Sequence, residues 1–440
     1  MRKLAKKIVV VLLTFEASMA LKRHKPFIIA VTGSVGKTST KDAIATILRE
    51  GGEIRASQKS FNSEIGVPLT ILGLSNAWQD TYAWMKNIWE GFCTAFFASR
   101  FPKTLVLEVG ADHPGDIKNI TKWLKPDIAV VTRLPDLPVH VEYFSSPEEV
   151  KKEKAELVRA LRSGGIFIAN VDDPAVVALS TLTRARMLTY GFGETAQVKG
   201  SAPEVVYKNI DGRNVPAGMK FHLDWQGNSF PVILYGVLGI SACMSALAGI
   251  AVGIARNMNV LDVVSAVQKL ETPKGRMRII SGVSGSTIID DTYNSSPVAL
   301  EAALETLRKV EANHRIAVLG DMLELGEHSE LEHWKLGRVA GGFVDELLTI
   351  GNRAAGIAEG AKTAGLPEGK IHTFANSKVA GLWLASQVKT GDVVLVKGSQ
   401  GSGENMIRME RAVKELMTHP EDSYTQLVRQ EREWQIQYKD

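Results

Sequence analysis

The chain has 440 residues, 45% of them hydrophobic and 23% charged, with 52 basic against 48 acidic side chains and a formal net charge of +4. That is length for two or three domains with separate cores, and the charge is too small and too evenly matched for a nucleic-acid binder, which needs a concentrated basic face. Two cysteines, Cys93 and Cys243, exclude a disulfide scaffold and a cysteine-ligated zinc site; both lie in apolar surroundings and read as buried thiols in a reducing cytoplasm.

Residues 1–26 open with Arg2, Lys3, Lys6 and Lys7, turn apolar from Ile8 to Phe15, and reach small residues at Ala17-Ser18-Met19-Ala20. The outline is that of a signal peptide, but the apolar run is too short to span a bilayer and Glu16 follows it directly. The pattern predicts a basic amphipathic helix. Two roles stay open for it: packing on the body of the protein, or peripheral contact with the inner membrane face through residues 1–25.

Phe27 to Val31 is strand-like, and it breaks at Gly33 and Gly36 before Lys37-Thr38 opens a helical pattern to about Arg49. Strand, glycine turn and helix start together make a phosphate cradle. Glycine lets backbone N–H groups point inward, and the helix N-terminus adds positive potential. Lys37 is placed to reach the terminal phosphates and the Thr38 hydroxyl to sit on Mg²⁺. Only the compact form, Gly33-x-x-Gly36-Lys37-Thr38, is present, since Val31 stands where a spaced-out loop has its first glycine.

Trp78, Tyr82, Met85, Trp89 and Phe92 recur at helical spacing, which predicts a core-facing helical stripe. Thr104 to Gly110 reads as a buried strand with Glu108 near its C-terminal end, where parallel α/β sheets bind ligands. An acid there needs a cation, and a metal beside the phosphates would supply one. Pro126 to Thr132 is a further strand, Pro147 to Leu161 a charged helix and Gly165 to Asn170 another strand. Residues 195–235 alternate without a clear helix, with a hairpin over Met219 to Phe230 turning at Gln226-Gly227-Asn228. Two apolar helices follow between Ile240 and Leu270, and a linker at Thr272 to Arg276 marks a domain boundary. Strands at Thr287–Asp290, Arg315–Gly320, Glu346–Gly351 and Asp392–Lys397 then alternate with helices, the signature of a doubly wound parallel sheet. The tail from Glu421 is polar and reads as a frayed helix.

In order along the chain stand Thr32-Gly33-Ser34-Val35-Gly36-Lys37-Thr38, Asn62 with Ile65-Gly66-Val67-Pro68, Glu108 to Gly115, His140, Lys154-Ala155-Glu156, Gly275-Arg276-Met277, Asp290 to Asn294, Leu319 to Gly326 and Lys397-Gly398-Ser399. In this order and spacing the chain resembles the Mur ligase family of ATP-dependent amide-forming enzymes, and within it the branch that adds D-alanyl-D-alanine. The resemblance runs from Phe27 to about Glu410. It implies an α/β fold: a P-loop ATPase domain with a mostly parallel sheet over residues 27–274, and a Rossmann-like doubly wound domain over 275–440.

It also implies the chemistry. ATP phosphorylates a muropeptide carboxylate to an acyl phosphate, an incoming amine displaces phosphate, and metals with a lysine screen the crowded anions. By resemblance, Gly33, Ser34, Val35, Gly36, Lys37, Thr38 and Ser39 hold ATP. Thr38, Glu108, His140 and Lys154 serve two Mg²⁺ ions, and Asn62 lies near the γ-phosphate. Lys154 matches a lysine that the family carbamylates, although by itself it reads as a solvated helix lysine. Arg276 and Asp291 are expected to reach ATP from the C-terminal domain and Lys397 and Ser399 to face the substrates, with domain closure completing the site. A cytoplasmic monomer of cell-wall precursor synthesis is expected.

Three departures bear on this. The family's D-alanyl-D-alanine-adding members begin with a domain that grips a UDP-sugar, and the 26 residues before the first strand are too few for one, so the acceptor is open. Ala242 and Ser245 replace asparagines that contact adenine in the family. Gln400 replaces a basic residue, and Gly401-Ser402-Gly403 follows it. A ligase for another amine acceptor and a nucleotide-binding scaffold with weak activity remain as alternatives.

Overall fold

A computed structural model describes residues 3–58, 61–78, 80–400, 407–431 and 434; the Gly401-Ser402-Gly403 segment lies outside them. By internal contacts the chain forms two compact units. One comprises Met1–Ser201, His222–Val232 and Met244–Leu270, the other Ala202–Phe221, Ile233–Cys243 and Glu271–Asp440.

The strands of the first sheet are β1 (Phe27–Thr32), β2 (Ile54–Ala56), β3 (Thr104–Glu108), β4 (Ile128–Val131), β5 (Ile166–Asn170), β6 (Arg186–Gly191), β7 (Val198–Ile210), β8 (Arg213–Trp225) and β9 (Asn228–Tyr235), in the order β2-β3-β1-β4-β5-β6-β7-β8-β9. Strands β1 to β6 pair in parallel. They read as near-continuous apolar runs because both faces are covered; Ile29, Ala30 and Val31 have no exposed surface. Strand β1 lies between β3 and β4, with Val31 opposite Glu108 and Thr32 opposite Val131. The chain leaving β1 therefore emerges flanked by the C-terminal ends of two parallel strands, where open α/β sheets place their ligands. The turn between β8 and β9 is Gln226-Gly227, both at positive φ (50° and 79°), which matches hairpin twist.

The helices of this unit are α1 (Lys3–His24), α2 (Lys37–Arg49), α3 (Gly66–Leu72), α4 (Thr81–Phe96), α5 (Asp116–Thr121), α6 (Pro147–Arg159) and α7 (Pro174–Ala178), with most of α8 (Ile240–Ala255) and all of α9 (Val260–Val267). Helix α1 packs on α3 and α4, burying Leu13, Ala17 and Ala20 against a core that includes Ile28, Leu105 and Trp84. Two expectations are corrected here. Helix α1 is not polar on its outer face: Ile8, Val11, Leu12 and Phe15 are exposed. The aromatic stripe of α4 is not core either. Tyr82, Met85, Trp89 and Phe92 are exposed, as is Trp78 just before the helix, while α4 buries Trp84, Asn87, Gly91 and Ala95. The small residues Gly91 and Ala95 suit close packing against α1, and the bulky ones are left outside.

The second unit holds β10 (Arg278–Ser281), β11 (Thr287–Asp291), β12 (Arg315–Gly320), β13 (Glu346–Ile350), β14 (Ile371–Phe374) and β15 (Val393–Lys397), in the order β10-β11-β15-β12-β13-β14. All pairs are parallel except β10 with β11. Its helices are α10 (Pro297–Lys309), α11 (Ser329–Gly341), α12 (Ala355–Thr363), α13 (Ser377–Ala385), α14 (Glu410–Leu416) and the short α15 (Ser423–Gln426). Helix crossovers between parallel strands give the doubly wound arrangement. In the described part of the tail, Leu427, Val428 and Arg429 are buried rather than frayed. Arg429 donates to Glu410 Oε2 at 2.9 Å and to the Thr292 carbonyl at 3.2 Å.

Candidate active site

The loop from β1 to α2 is shaped by two glycines and by Thr132 at the end of β4. Gly36 caps α2 with φ 84°. Gly33 has φ 142°, and a Cβ there would sit 2.0 Å from Thr132 Oγ1. That hydroxyl donates to the Val35 carbonyl at 2.6 Å, and Ser34 N–H donates to the Arg133 carbonyl at 2.8 Å. The loop is thereby tied down on its β4 side. Lys37 Nζ curls over it and donates to the Gly33 carbonyl at 2.8 Å. Ser34 Oγ is buried with no hydrogen-bond partner among the described residues, so one buried polar atom of the loop is left unsatisfied. Ser39 follows in the first turn of α2 and is half-buried.

On the β3 side stands Glu108, 1% exposed. Its Oε2 accepts from Thr38 Oγ1 at 2.9 Å and its Oε1 from Asn62 Nδ2 at 3.0 Å. The Glu108 N–H donates to Ser57 Oγ at 3.0 Å, and Lys41 Nζ donates to the Ser57 carbonyl at 2.8 Å. Gly110 clears space for Asn62: its N–H donates to the Asn62 carbonyl at 2.8 Å, and a Cβ would stand 2.9 Å from the Asn62 amide. The structure thus brings Thr38, Asn62 and Glu108 together from three separate segments.

Lys154 is buried in α6, 1% exposed, so it is not a solvated surface lysine. Burial, reinforced by the Lys37 charge, brings its amine down to about 7 from an ordinary 10.5. Asp112 and Glu153 act in the opposite direction, but Glu153 is engaged elsewhere. Its two carboxylate oxygens accept from Gly115 N–H at 3.0 Å and Lys118 N–H at 2.9 Å, at the start of α5. His140, in left-handed backbone at φ 67°, points Nε2 to within 3.5 Å of Asp112 Oδ1.

A magnesium ion fits this donor set when it arrives with a polyphosphate. The ion takes one or two protein oxygens and completes an octahedron from phosphate and water. Thr38 and Glu108 offer such a pair. Among the described residues no group of three or more His, Cys, Asp or Glu is placed to hold a metal ion.

In the second unit, Lys397 (2% exposed) donates to Asp291 Oδ2 at 2.6 Å and to the Asn294 carbonyl at 2.9 Å. Asp291 Oδ1 accepts from Met277 N–H at 3.2 Å. Burial lowers the Lys397 amine from its ordinary value, opposed by Asp291. Ser399 Oγ donates to the Ser295 carbonyl at 3.2 Å and accepts from Leu323 N–H at 3.0 Å. The Arg276 guanidinium lies 4.1 Å from the Tyr293 ring centroid. Asp291, Lys397 and Ser399 thus converge on the loop after β11, and Arg276 stacks on the same loop.

Sequence reasoning missed Thr132 and Asp112 as partners of the loop and of His140. Thr132 was visible as a polar residue ending an apolar strand, the same signal that Glu108 gives at the end of β3.

Known proteins match this chain over most of its length. Residues 31–84 and 93–253 match the Mur ligase middle domain, and 275–400 match the domain described as Mur ligase, glutamate ligase domain. The UDP-N-acetylmuramoyl-tripeptide–D-alanyl-D-alanine ligase of Mycobacterium leprae is 32% identical over 396 residues, covering 86% of this chain and 71% of that one. The Bacillus subtilis protein of the same name is 28% identical over 395 residues, covering 89% and 76%. In fold, MurF from Acinetobacter baumannii superposes with a TM-score of 0.75 at 24% identity, over 93% of this chain and 80% of that one. The MurF ligase of Thermotoga maritima in complex with ADP gives 0.73 at 24% identity, over 94% and 84%. By these matches the chain belongs to the Mur ligase family.

Proposed function

We propose that the protein is an ATP-dependent, ADP-forming peptide ligase of peptidoglycan precursor synthesis, joining D-alanyl-D-alanine to a muropeptide carboxylate. The observation that carries this is the Thr38–Glu108–Asn62 cluster beside the Gly33–Lys37 loop. A hydroxyl, a carboxylate and an amide meet there where a bound triphosphate would end.

In this reading the loop from Gly33 to Ser39 receives the phosphates, with Ser34 Oγ and the backbone N–H groups as donors. Lys37 leaves its loop carbonyls for the γ-phosphoryl group and offsets the charge that builds during transfer. The acceptor carboxylate attacks the γ-phosphorus and ADP departs. The amine of the dipeptide then attacks the acyl carbon, a proton leaves the nitrogen, and phosphate is released with the C–O bond electrons. When bound, two Mg²⁺ ions would neutralise phosphate charge; Thr38 and Glu108 would hold one, His140 and Lys154 the other. Asn62 steadies Glu108. Addition of carbon dioxide to the Lys154 nitrogen, with loss of an N–H proton, would turn a buried cation beside Lys37 into an oxygen-bearing anion. The low proton affinity of that amine supports this, because only a neutral amine adds carbon dioxide. In the second unit, Arg276 and Asp291 are assigned to the nucleotide and Lys397 and Ser399 to the substrates. A cytoplasmic setting follows from the use of ATP; among the described residues no helix is long and apolar enough to cross a membrane.

The test is phosphate release with ATP, UDP-N-acetylmuramoyl-tripeptide and D-alanyl-D-alanine, each omitted in turn. Release that needs all three supports the proposal. Release with another amine, or with an acceptor lacking the nucleotide, moves the substrate assignment. Nucleotide binding without release under any combination rejects it.

A further inference from the structure

The outer faces of α1 and α4 form one apolar surface that the catalytic reading leaves unused. Helix α1 contributes Ile8, Val11 and Phe15, each more than half exposed, and α4 contributes Tyr82, Met85 and Trp89, at 75%, 59% and 65%. The two sets are continuous. Trp89 stacks on Phe92 at 6.0 Å between centroids, Phe92 meets Phe96 at 4.9 Å, and Phe96 meets Phe15 at 6.5 Å. Phe97, 70% exposed, closes on Phe92 at 5.9 Å. A contiguous exposed patch of this kind marks an interaction surface rather than scattered apolar residues.

Positive charge is concentrated on the α1 margin, while α4 carries the exposed acids Asp80, its N-cap, and Glu90 on either side of Lys86. Lys6 and Lys7 stand exposed near one end of α1, Lys22 and Arg23 at the other, and Lys86 beside Met85 on α4. The only acid of α1, Glu16, is 4% exposed and faces Gly91 of α4 rather than solvent. Lys6 is paired with Glu64 and Lys86 with Glu90, both at the surface; Lys7, Lys22 and Arg23 add positive charge. An apolar face carrying Trp and Tyr with lysines at its margins is the composition of an element lying in the plane of a lipid–water interface. Phosphate headgroups attract the rim and the aromatic rings occupy the headgroup boundary.

We propose that the α1–α4 face docks the protein peripherally on an anionic phospholipid surface, with α4 supplying the aromatic anchor and α1 the basic margin. The proposal extends a membrane contact from the N-terminal helix alone to a two-helix platform. It stands apart from the ligase reading, because vesicle binding is scored without turnover.

The test uses the full chain in sedimentation with vesicles of phosphatidylcholine alone and of phosphatidylcholine with phosphatidylglycerol. Binding to the anionic vesicles is expected, falling with salt and weak on the neutral ones. Lys6→Gln/Lys7→Gln should weaken it roughly ten- to thirtyfold, and Tyr82→Ser/Met85→Ser/Trp89→Ser should abolish it. Quenching of wild-type tryptophan emission by bromine-labelled lipid checks insertion without any variant. No binding to anionic vesicles, or no quenching on binding, overturns the proposal. So does binding untouched by the triple substitution. Concentration-dependent self-association that the triple substitution removes, with no vesicle binding, assigns the face to a second copy instead and also overturns it.

Discussion

Thr38 Oγ1 donates to Glu108 Oε2 at 2.9 Å, joining the first turn of α2 to the end of β3 across 70 residues of sequence. The contact follows from the sheet register. Val31 pairs with Glu108, so the helix that begins a few residues beyond Val31 starts above that carboxylate. Thr38→Val keeps the shape and removes the donor. It should lower ligase turnover roughly a hundredfold to a thousandfold, the scale of losing one aligned electrostatic partner in a transfer step. Thr38→Ser should restore most of it. The comparison of kcat for the two variants checks the assignment, and equal activities would refute a role for the hydroxyl.

The phosphate loop tolerates no side chain at Gly33. Its φ of 142° and the 2.0 Å approach of a would-be Cβ to Thr132 Oγ1 both forbid one. Gly33→Ala should abolish nucleotide binding in calorimetry while α2 and the sheet remain folded. Thr132→Val is milder. It removes the donor to the Val35 carbonyl, worth about 1 kcal/mol, and should weaken ATP binding roughly fivefold with kcat little changed.

Lys154 should make activity depend on carbon dioxide. With its amine brought down to about 7, the neutral form dominates above that pH and is lost below it. Carbon-dioxide-free buffer should therefore depress turnover, bicarbonate should restore it, and the bicarbonate needed should rise as pH falls below 7. Activity indifferent to carbon dioxide across that range would mean that the lysine works unmodified.

Glu16 predicts a pH-dependent stability. Burial between α1 and α4 raises its carboxyl from 4.5 to about 7, so between those values the folded chain holds a proton that the unfolded chain has released. Stability contributed by protonated Glu16 is full below 4.5 and is lost as pH rises toward 7. Glu16→Gln removes the titration. Relative to this variant, the wild type should lose stability progressively between pH 4.5 and pH 7, on the order of 1 kcal/mol, read from urea midpoints. A constant difference over that interval would show that the carboxylate stays ionised in the fold.

Much of this arrangement is legible in the amino-acid sequence. The apolar run Phe27–Val31 with Gly33, Gly36 and Lys37-Thr38 is a local pattern, and local patterns survive translation into structure. The alternation of strands and helices after Thr287 likewise marked the four central strands of the second sheet, while the short edge strands β10 and β14 were missed. What could not be read was register and facing. Nothing near Glu108 says that Val31 will be its neighbour, because that pairing is set by the whole parallel sheet. The stripe Tyr82, Met85, Trp89 and Phe92 shows how periodicity misleads. It reports that a helix has one bulky face, not that the face looks inward. Here the close approach of α1 requires Gly91 and Ala95 at the contact, and the aromatic residues turn outward. Lys154 shows the opposite limit: its charged neighbours make it look solvated, only the motif register argues otherwise, and α6 carries it inward.

The central claim is that a carboxylate is activated by phosphoryl transfer at the Gly33–Thr38 loop. Its most direct test is isotope transfer from an acceptor whose reacting carboxyl carries heavy oxygen. If an acyl phosphate forms, the C–O bond that breaks leaves one labelled oxygen in each phosphate released. Unlabelled phosphate alongside ADP and peptide product would contradict the claim.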